Sequence, residues 1–480
     1  MTLDIDPNNV ARIDLSNGDE PHPSLRALPA RPSVPSPAPA ASSVAALLAG
    51  VVGADTPVAF ECWDGSRLGP DQAAATVVLR SRDALRRIVT ARGELGFSRA
   101  WVAGDIDIRG DLYATLGLRG SLTGKLAPAQ IGRALRLIGP GGLRPLPAPP
   151  EEARLHGRRH SRRRDAAAIA HDYDVSNAFY RIVLGPSLTY SCGVWEQGAT
   201  TLEQAQTAKH ELITRKLDLQ PGMRLLDVGS GWGSMLLHAA SQHGVRAVGV
   251  TISNPQAERA RQRIADAGLA DRIEVRVQDY RDIHDGPYDA ISSIGMFEHV
   301  GEARLAEYFA RLHSLLRPGG CLLNHGISRP SGSPAAFSSR GFIDRYVFPD
   351  GELHEAGAVV SAMQAAGFEA RHMESLREHY ARTLRAWVVN LEAGWDAAVA
   401  EVGEPRARIW RLYMAGCALA FEEGETQVHQ ILGVRAVSDG TSGMPARPQW
   451  DASPLALGPV PSLGQAFDHR AKAKPRKAAP

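Results

Sequence analysis

The sequence predicts an α/β protein whose main domain is built on a parallel sheet, with a smaller α/β domain before it and disordered tails at both ends. Strand and helix patterns alternate from residue 224 to residue 327, which is typical of a parallel sheet covered by helices on both faces. The length of 480 residues exceeds what one hydrophobic core usually organises and favours two domains. Hydrophobic residues at 44% and charged residues at 22% match an ordinary globular chain and exclude wholesale disorder.

The main domain is predicted over 169–438. Its strands are predicted from apolar runs, and its helices from apolar residues that recur at helical spacing. The strand patterns lie at 224–229, 247–253, 273–278, 289–295 and 321–327, and the helix patterns at 233–241, 254–267 and 303–316. Beyond them we expect two amphipathic helices at 377–401 and 405–423, followed by a last strand at 427–437.

The N-terminal part changes character near residue 43. Seven prolines between Pro21 and Pro39 block both helices and sheet ladders, so 1–43 is expected to be a disordered tail. Residues 44–138 are predicted to form the small α/β domain. Its elements are strands at 57–63 and 75–79 and a helix at 83–89.

Two segments are strongly basic. The Pro/Gly/Arg-rich linker at 139–168 has five arginines between Arg158 and Arg164, and the expected disordered tail at 439–480 ends in a run of Lys and Arg. Each Lys or Arg near an anionic lipid surface adds about 1 kcal/mol of attraction. These segments predict a contact with an anionic membrane surface, and a merely solvated linker is the alternative.

Charge, cysteine spacing and hydropathy set further limits. A net charge of +2 predicts no nucleic-acid partner, and four widely spaced cysteines without a CxxC pair predict neither disulfides nor a metal site. The longest apolar run, 44–54, is shorter than the roughly 20 residues that span a bilayer. Since the N-terminus has no basic segment followed by an apolar core, we expect a cytoplasmic protein that is peripheral at the inner face of the membrane.

A glycine loop predicts a nucleotide-like cofactor. The segment LLDVGSGWG at 225–233 runs from a strand through three glycines into a helix, which lets the backbone approach a ligand. Its spacing is not GxGxxG and the second strand carries no acidic residue, so NAD is disfavoured. Asp227 precedes the glycines and Asp279 follows the third strand. This order suits a ligand with an amino group and an adenine, which is S-adenosylmethionine (SAM).

Three further segments carry a family resemblance. HDYDVSNAFY at 171–180, LTYSC at 188–192 and IGMFEHVG at 294–301 resemble the cyclopropane-fatty-acyl-phospholipid synthase family of SAM-dependent lipid methyltransferases. The resemblance covers 169–437, with a looser likeness over 44–138. It implies a seven-stranded Rossmann-like methyltransferase domain and a lipid-binding role for the small domain.

The resemblance, together with the glycine loop and its flanking acids, gives the expected cofactor contacts. These are Tyr190, Ser191, Asp227, Gly229, Gly231, Gly233, Thr251, Gln256 and Asp279. Without the family, Thr251 and Gln256 fit equally well as a strand end and an exposed helix face.

The resemblance also implies a pocket that binds bicarbonate. Its expected members are Cys192, Glu298, His325, the backbone of Ile327, and Tyr380. An alkene that takes a methyl group becomes a carbocation, which must then lose a proton to a base. Bicarbonate would be that base, with Glu298 and His325 orienting it and shuttling the proton and Tyr380 donating a hydrogen bond. Glu298 itself is the rival base. Taken singly, each of these residues also fits a structural role, such as a helix cap for Glu298.

The expected activity is the transfer of a one-carbon unit from SAM to the double bond of an unsaturated phospholipid acyl chain, giving a cyclopropane. Gly193, Val194 and Trp195 depart from the family's usual residues after the cysteine, and the long tails are also unusual, so the product stays open. A different proton loss from the same cation gives a methylene-branched chain, which a separate reductase would convert to a methyl branch. The sequence also leaves open a small-molecule N- or O-methyltransferase, a non-catalytic lipid-binding protein and a homo-oligomer.

Overall fold

The structure, a computed structural model, describes part of the 480-residue chain. The described residues are 42–91, 93–122, 127–139, 141–153, 164, 176–196, 198–334 and 341–450. Nearly all of the expected tail at 1–43, the basic part of the linker apart from Arg164, and residues 451–480 of the expected C-terminal tail therefore lie outside them.

The small domain has a four-stranded sheet in the order β2-β1-β3-β4, with helices around it. The strands are β1 Ala59–Cys62, β2 Arg67–Leu68, β3 Ala75–Leu79 and β4 Ile106–Gly110. The helices are α1 Val44–Val52, α2 Arg82–Thr90, α3 Glu94–Val102, α4 Leu112–Leu116, α5 Arg119–Leu122 and α6 Pro128–Ile138. In β3, buried and half-buried residues alternate, as expected for a strand with one face on the core. The predicted α/β character of 44–138 is thus observed, but β2, β4 and most of the helices were not predicted.

The main domain contains a larger sheet in the order β11-β12-β9-β8-β5-β6-β7, with β10 beside β9. The strands are β5 Arg224–Val228, β6 Arg246–Thr251, β7 Ile273–Val277, β8 Tyr288–Ile294, β9 Leu316–Arg329, β10 His354–Glu355, β11 Glu369–Ser375 and β12 Gln427–Val434. Strands β7, β6, β5, β8 and β9 pair in parallel, whereas β12 is antiparallel to both β9 and β11. The parallel α/β domain is confirmed, with seven strands of ordinary length and the two-residue β10 as an eighth.

Helices cover the sheet. They are α7 Asn177–Leu184, α8 Leu202–Lys216, α9 Ser234–His243, α10 Asn254–Asp266, α11 Leu305–Leu315, α12 Phe342–Tyr346, α13 Ala356–Ala365, α14 Arg377–Ala393, α15 Trp395–Val402 and α16 Glu404–Glu422. The prediction of a single helix at 377–401 is wrong, because the helix is interrupted at Gly394 and continues as two separate helices. A Cβ at Gly394 would lie 2.5 Å from Ile182 Cγ2, so the close approach of α7 requires glycine there.

One apolar core joins the small domain to helices α14 and α16. Trp101 and Arg408, both buried, connect the two parts: Trp101 Nε1 donates to the Arg408 carbonyl at 2.9 Å and Arg408 Nε donates to the Trp101 carbonyl at 2.8 Å. The guanidinium also lies 4.1 Å from the Trp101 ring centroid. The two domains are therefore packed into a continuous unit.

Two further observations concern the chain's boundaries and membrane segments. Met444 and Trp450 pack against the core of the main domain, and the Trp450 ring lies 4.4 Å from that of His372, so the ordered domain extends beyond the predicted boundary at 438. Within the described ranges, no helix is both long enough and apolar enough to cross a membrane.

Candidate active site

The first of three neighbouring cavities lies where the parallel strands end. This glycine-loop cavity, of about 160 Å³, is bordered by the turns after β5, β6, β7 and β8, where open parallel sheets bind ligands. Eight of the nine expected cofactor residues line it: Tyr190, Ser191, Asp227, Gly229, Gly231, Thr251, Gln256 and Asp279.

The ninth residue, Gly233, lies outside this lining. A Cβ at Gly233 would lie 3.3 Å from the Ala260 side chain, so this glycine serves the packing of α9 against α10. Gly231 differs, because a Cβ there would meet no described atom within 4 Å, and its φ of +51° disfavours side chains. The loop therefore has open space above Gly231 for a ligand.

The described part of the motif at 171–180 packs against Trp232 of the glycine loop. Asn177 Oδ1 accepts a hydrogen bond from Trp232 Nε1 at 2.7 Å, and the Tyr180 ring lies 4.7 Å from the Trp232 ring. Residues 171–175 of the motif lie outside the described residues.

Polar groups after β6 and β7 complete the glycine-loop cavity. Thr251 Oγ1 donates to Gln256 Oε1 at 2.8 Å, which orients the amide. Both oxygens of Asp279 accept hydrogen bonds from Arg281, at 2.8 and 2.5 Å. Asp279 thus faces the cavity as half of an ion pair, a feature that the sequence did not predict.

A buried lysine beside the cavity was not predicted from the sequence. Lys209 Nζ donates to Ser191 Oγ at 3.0 Å, and burial lowers the pKa of this lysine to about 7. Gln206 Nε2 donates to the Ser191 carbonyl at 2.9 Å, so α8 fixes the segment before the cysteine. A signal existed, because Gln206 and Lys209 share a helical stripe with Leu202 and Ile213.

Asp227 lies at the floor of the glycine-loop cavity. Its Oδ1 accepts a hydrogen bond from Ser292 Oγ at 2.6 Å, and burial raises its pKa to about 6. A cationic ligand in the cavity would favour the ionised form of this carboxyl.

The second, central cavity of about 70 Å³ contains the expected bicarbonate-binding residues. It shares Tyr190, Ser191, Gly295 and His299 with the glycine-loop cavity. Cys192, Glu298, His325, Ile327 and Tyr380 all line it. The structure thus brings together five residues from four separate segments of the sequence.

Glu298 is held by the neighbouring strand. Its Oε1 accepts a hydrogen bond from the Ile327 backbone N–H at 2.7 Å, whereas Oε2 has no hydrogen-bond partner among the described residues. Burial raises the pKa of the carboxyl to about 7. The side chain therefore has one anchored oxygen and one oxygen left for a ligand.

Gly326 allows this arrangement. Its neighbours His325 and Ile327 lie on β9, and a Cβ at position 326 would lie 2.0 Å from the ring of Phe297. Phe297 directly precedes Glu298, so the missing side chain lets the short helical turn at Phe297–His299 approach β9.

His325 lines the central cavity, and its Nε2 is buried without a hydrogen-bond partner in the described part of the chain. Its Nδ1 lies 3.2 Å from Gln430 Nε2. Burial is the main reason that its pKa is well below the usual value, so the ring is neutral at physiological pH.

Cys192 and Tyr380 complete the lining of the central cavity. The Cys192 thiol is fully buried, contacts the Gly193 carbonyl oxygen at 3.1 Å, and has a raised pKa because of burial. It is therefore a neutral thiol and no thiolate nucleophile. Tyr380 begins the buried face of α14, 4.8 Å from the Phe421 ring.

The third cavity, the apolar cavity of about 450 Å³, lies between the two domains. It is lined by α3 and α4 of the small domain and by α14 and α16 of the main domain. It shares Ile327, Phe348, Leu353, Tyr380 and Tyr413 with the central cavity. Its volume is within the roughly 300–1,000 Å³ range of small-molecule sites.

The residues of the glycine-loop cavity fit SAM. The open space above Gly231 admits a ligand close to the backbone, and the Asp279–Arg281 pair, Asp227 and the Thr251–Gln256 pair offer charged and polar groups for its amino-acid and nucleoside parts. Fold and cavity together define a SAM-dependent methyltransferase.

Comparisons with known proteins define the family. A family model described as mycolic acid cyclopropane synthetase matches residues 160–431. The chain is 45% identical over 407 residues to a probable fatty acid methyltransferase of Mycobacterium tuberculosis, covering 82% of this chain and 95% of the relative. It is 33% identical to a tuberculostearic acid methyltransferase of the same organism (78% and 86% covered). It is 32% identical to the cyclopropane-fatty-acyl-phospholipid synthase of Escherichia coli (77% and 90% covered).

A solved structure agrees with this assignment. A mycolic acid cyclopropane synthase complexed with SAH and CTAB is 35% identical, with a TM-score of 0.53, over 56% of this chain and 97% of that chain. The chain belongs to the mycolic acid cyclopropane synthetase family. Its activity is the SAM-dependent modification of lipid acyl chains.

Proposed function

We propose that this protein transfers a one-carbon unit from SAM to the double bond of an unsaturated acyl chain on a membrane phospholipid, giving a cyclopropane. The observation that carries the proposal is that the three cavities adjoin one another in a row, with the central cavity between the other two. The central cavity shares four residues with the glycine-loop cavity and five with the apolar cavity. A methyl donor in the first and an acyl chain in the third would meet at the second.

The lining of the apolar cavity suits a hydrocarbon chain. Leu116, Leu384, Leu412 and Phe421 contribute apolar surface from both domains. Each methylene group transferred from water into such a cavity gains about 0.8 kcal/mol. A small polar methyl acceptor has no use for this volume, which argues against the N- or O-methyltransferase alternative.

The reaction requires stabilisation of a positive charge and removal of a proton. In the proposed reaction the π electrons of the alkene would form a C–C bond from one chain carbon to the methyl group as the S–CH3 bond breaks and S-adenosylhomocysteine leaves. The neighbouring chain carbon would then be cationic. The ring closes as the methyl carbon loses a proton and bonds to that neighbour. Aromatic rings of Tyr190, Phe348, Tyr380 and Tyr413 border the central cavity, and such rings stabilise cations by about 0.5–2 kcal/mol each.

The central cavity fits bicarbonate as the base. Glu298 Oε2 and His325 Nε2 are buried polar atoms without partners among the described residues, which is the arrangement expected where a polar ligand binds. In the proposed site, bicarbonate would supply the proton acceptor. Glu298 and His325 would hold it together with Tyr380, the N–H of Ile327 anchors Glu298, and Cys192 closes the wall.

A methylene-branched product is the alternative from the same cation. If a hydride first shifts from the methylated carbon to its cationic neighbour, the charge moves to the methylated carbon. Loss of a proton from the methyl group then gives a methylene branch, which a separate reductase would convert to a methyl branch. The similarity to a tuberculostearic acid methyltransferase favours keeping this outcome in the product analysis.

Because the proposed substrate is a membrane phospholipid, the protein must reach a membrane surface. We propose that the protein binds the inner face of the membrane as a peripheral protein, with help from its basic segments. Of the five linker arginines, Arg164 is described, and it pairs with Asp350 at 2.8 Å. We therefore assign the proposed lipid-facing role to the other four arginines and to the C-terminal tail.

The proposal is tested with Glu298→Gln on vesicles of a monounsaturated phospholipid. Turnover is expected to fall roughly 10²–10⁴-fold, while calorimetry shows unchanged SAM affinity. Glu258→Gln, on the exposed face of α10, is the matched control. Full turnover of Glu298→Gln would contradict the assignment.

A second experiment tests whether bicarbonate is the base that removes the proton. In buffer depleted of CO₂, turnover of the wild type is expected to fall and to return when bicarbonate is added. Unchanged turnover would instead assign the base role to Glu298 itself.

A further inference from the structure

A chain of buried polar groups lies behind His325, on the side away from the central cavity. Lys216, at the end of α8, donates from Nζ to Gln430 Oε1 at 2.7 Å and also pairs with Glu374. Gln430 lies on β12, opposite His325 in the sheet register, and is fully buried. Its Nε2 lies 3.2 Å from His325 Nδ1. None of the three cavities reaches Lys216 or Gln430 in the described structure.

The chemistry of these groups fixes the direction of each hydrogen bond. An ammonium group only donates, so the oxygen of the Gln430 amide must face Lys216. The amide nitrogen, which also only donates, then faces His325 Nδ1, which must accept and therefore carries no proton. Since the ring is neutral, its proton lies on Nε2, the ring nitrogen that has no partner among the described residues, on a side chain that lines the central cavity.

We propose that Gln430, oriented by Lys216, is a positioning residue that fixes His325 as the Nε2–H tautomer, so that this ring donates a hydrogen bond to an oxyanion in the central cavity. The identity of that oxyanion as bicarbonate rests on the proposed function. The assignment of the tautomer does not rest on the proposed function, because it follows from Gln430 and Lys216 on the Nδ1 side of the ring.

This arrangement assigns His325 a narrower role than the sequence predicts. A ring that already carries its proton on Nε2 cannot accept another at that atom, and its Nδ1 lone pair is occupied by Gln430. Proton shuttling by His325 is therefore excluded in this state. The proton must go to the bound anion or to Glu298, and His325 holds the acceptor in place.

The test is a tautomer measurement on the full-length protein. Long-range ¹H–¹⁵N correlation spectra of protein labelled in its histidine rings distinguish the two neutral tautomers from the imidazolium, and His325→Gln identifies the His325 signal by its loss. We expect the Nε2–H tautomer at pH 7. An Nδ1–H tautomer or an imidazolium would overturn the inference.

Gln430→Glu supplies the functional arm. A carboxylate can still pair with Lys216 but demands a proton on His325 Nδ1, so the tautomer is expected to switch. Turnover should fall about 10²-fold with the KM for SAM unchanged. Gln427→Glu, the same substitution on the same strand but outside the three cavities, should retain turnover and tautomer. A switched tautomer with full turnover would overturn the positioning role.

The spectrum is recorded without substrate. A protein that modifies no acyl chain but shows the Nε2–H tautomer would therefore contradict the proposed function and support this inference.

Discussion

Glu298 is expected to make the stability of the protein depend on pH. In the folded chain its pKa is raised from 4.5 to about 7, mainly because burial disfavours the charged form. Between these two pH values, the folded state keeps a proton that the unfolded state has lost. The free energy of unfolding should therefore decrease as the pH rises through this window, and the loss is complete above pH 7.

The magnitude follows from the shift. One pKa unit corresponds to about 1.36 kcal/mol, so the whole shift amounts to roughly 3 kcal/mol, of which about 2–3 kcal/mol is lost between pH 5 and pH 8. Glu298→Gln removes the charge and keeps an oxygen to accept from the Ile327 N–H. The variant should thus be more stable than the wild type at pH 8, by somewhat less than the full value because its NH₂ group needs a partner.

Urea unfolding at pH 5 and pH 8 measures this effect in the wild type, in Glu298→Gln and in the exposed control Glu258→Gln. The wild type and Glu298→Gln share every titrating group except Glu298, and Glu258→Gln controls for the loss of an exposed carboxyl, so the difference between pH values isolates Glu298. The wild type and the control should lose about 2–3 kcal/mol more than Glu298→Gln between the two pH values. Equal losses in all three proteins would refute the raised pKa.

Three further predictions concern the glycine loop, β9 and the basic linker. Gly231→Ala should weaken SAM binding about tenfold or more by calorimetry, since its Cβ enters the cavity, whereas Gly268→Ala, with a similar positive φ away from the cavity, should bind normally. Gly326→Ala should lower the free energy of unfolding by about 1–3 kcal/mol and reduce turnover by displacing Phe297, whereas Gly357→Ala, on the exposed face of α13, should do neither. Unchanged unfolding and turnover of Gly326→Ala would show that the Phe297 contact is unimportant. Pelleting with anionic vesicles should decrease with salt and on replacing Arg158, Arg159, Arg162 and Arg163 by Ser; constant pelleting would leave that segment as a solvated linker.

The alternation of strands and helices was predictable because each parallel strand is a short apolar run between amphipathic helices. Strand β11 was not, since its residues Glu369–Ser375 are half-buried or exposed and carry no apolar run. The break at Gly394 was not predicted either, although a glycine inside a helical pattern is a weak signal for a helix end. The requirement for glycine at this position comes from the contact with Ile182. Local patterns predict elements, and contacts distant in sequence decide where they break.

The candidate active site also combines features that local sequence patterns predict with features that depend on contacts distant in sequence. The glycine loop could be recognised from its spacing, and the central cavity was expected only through the family resemblance. The roles of Lys209, Lys216 and Gln430 depend on side chains brought together across α8 and β12, and pairings between distant elements leave no spacing to detect. Polar residues on the buried stripe of α8 were the one available signal.

The most direct test of the account follows the methyl carbon. Purified protein is incubated with SAM labelled with ¹³C in its methyl group and vesicles of a monounsaturated phospholipid, and the lipids are analysed by mass spectrometry and NMR. We expect one labelled carbon per modified acyl chain, loss of the double bond and a cyclopropane methylene signal. Label in the headgroup, in a water-soluble acceptor or in no product at all would contradict it.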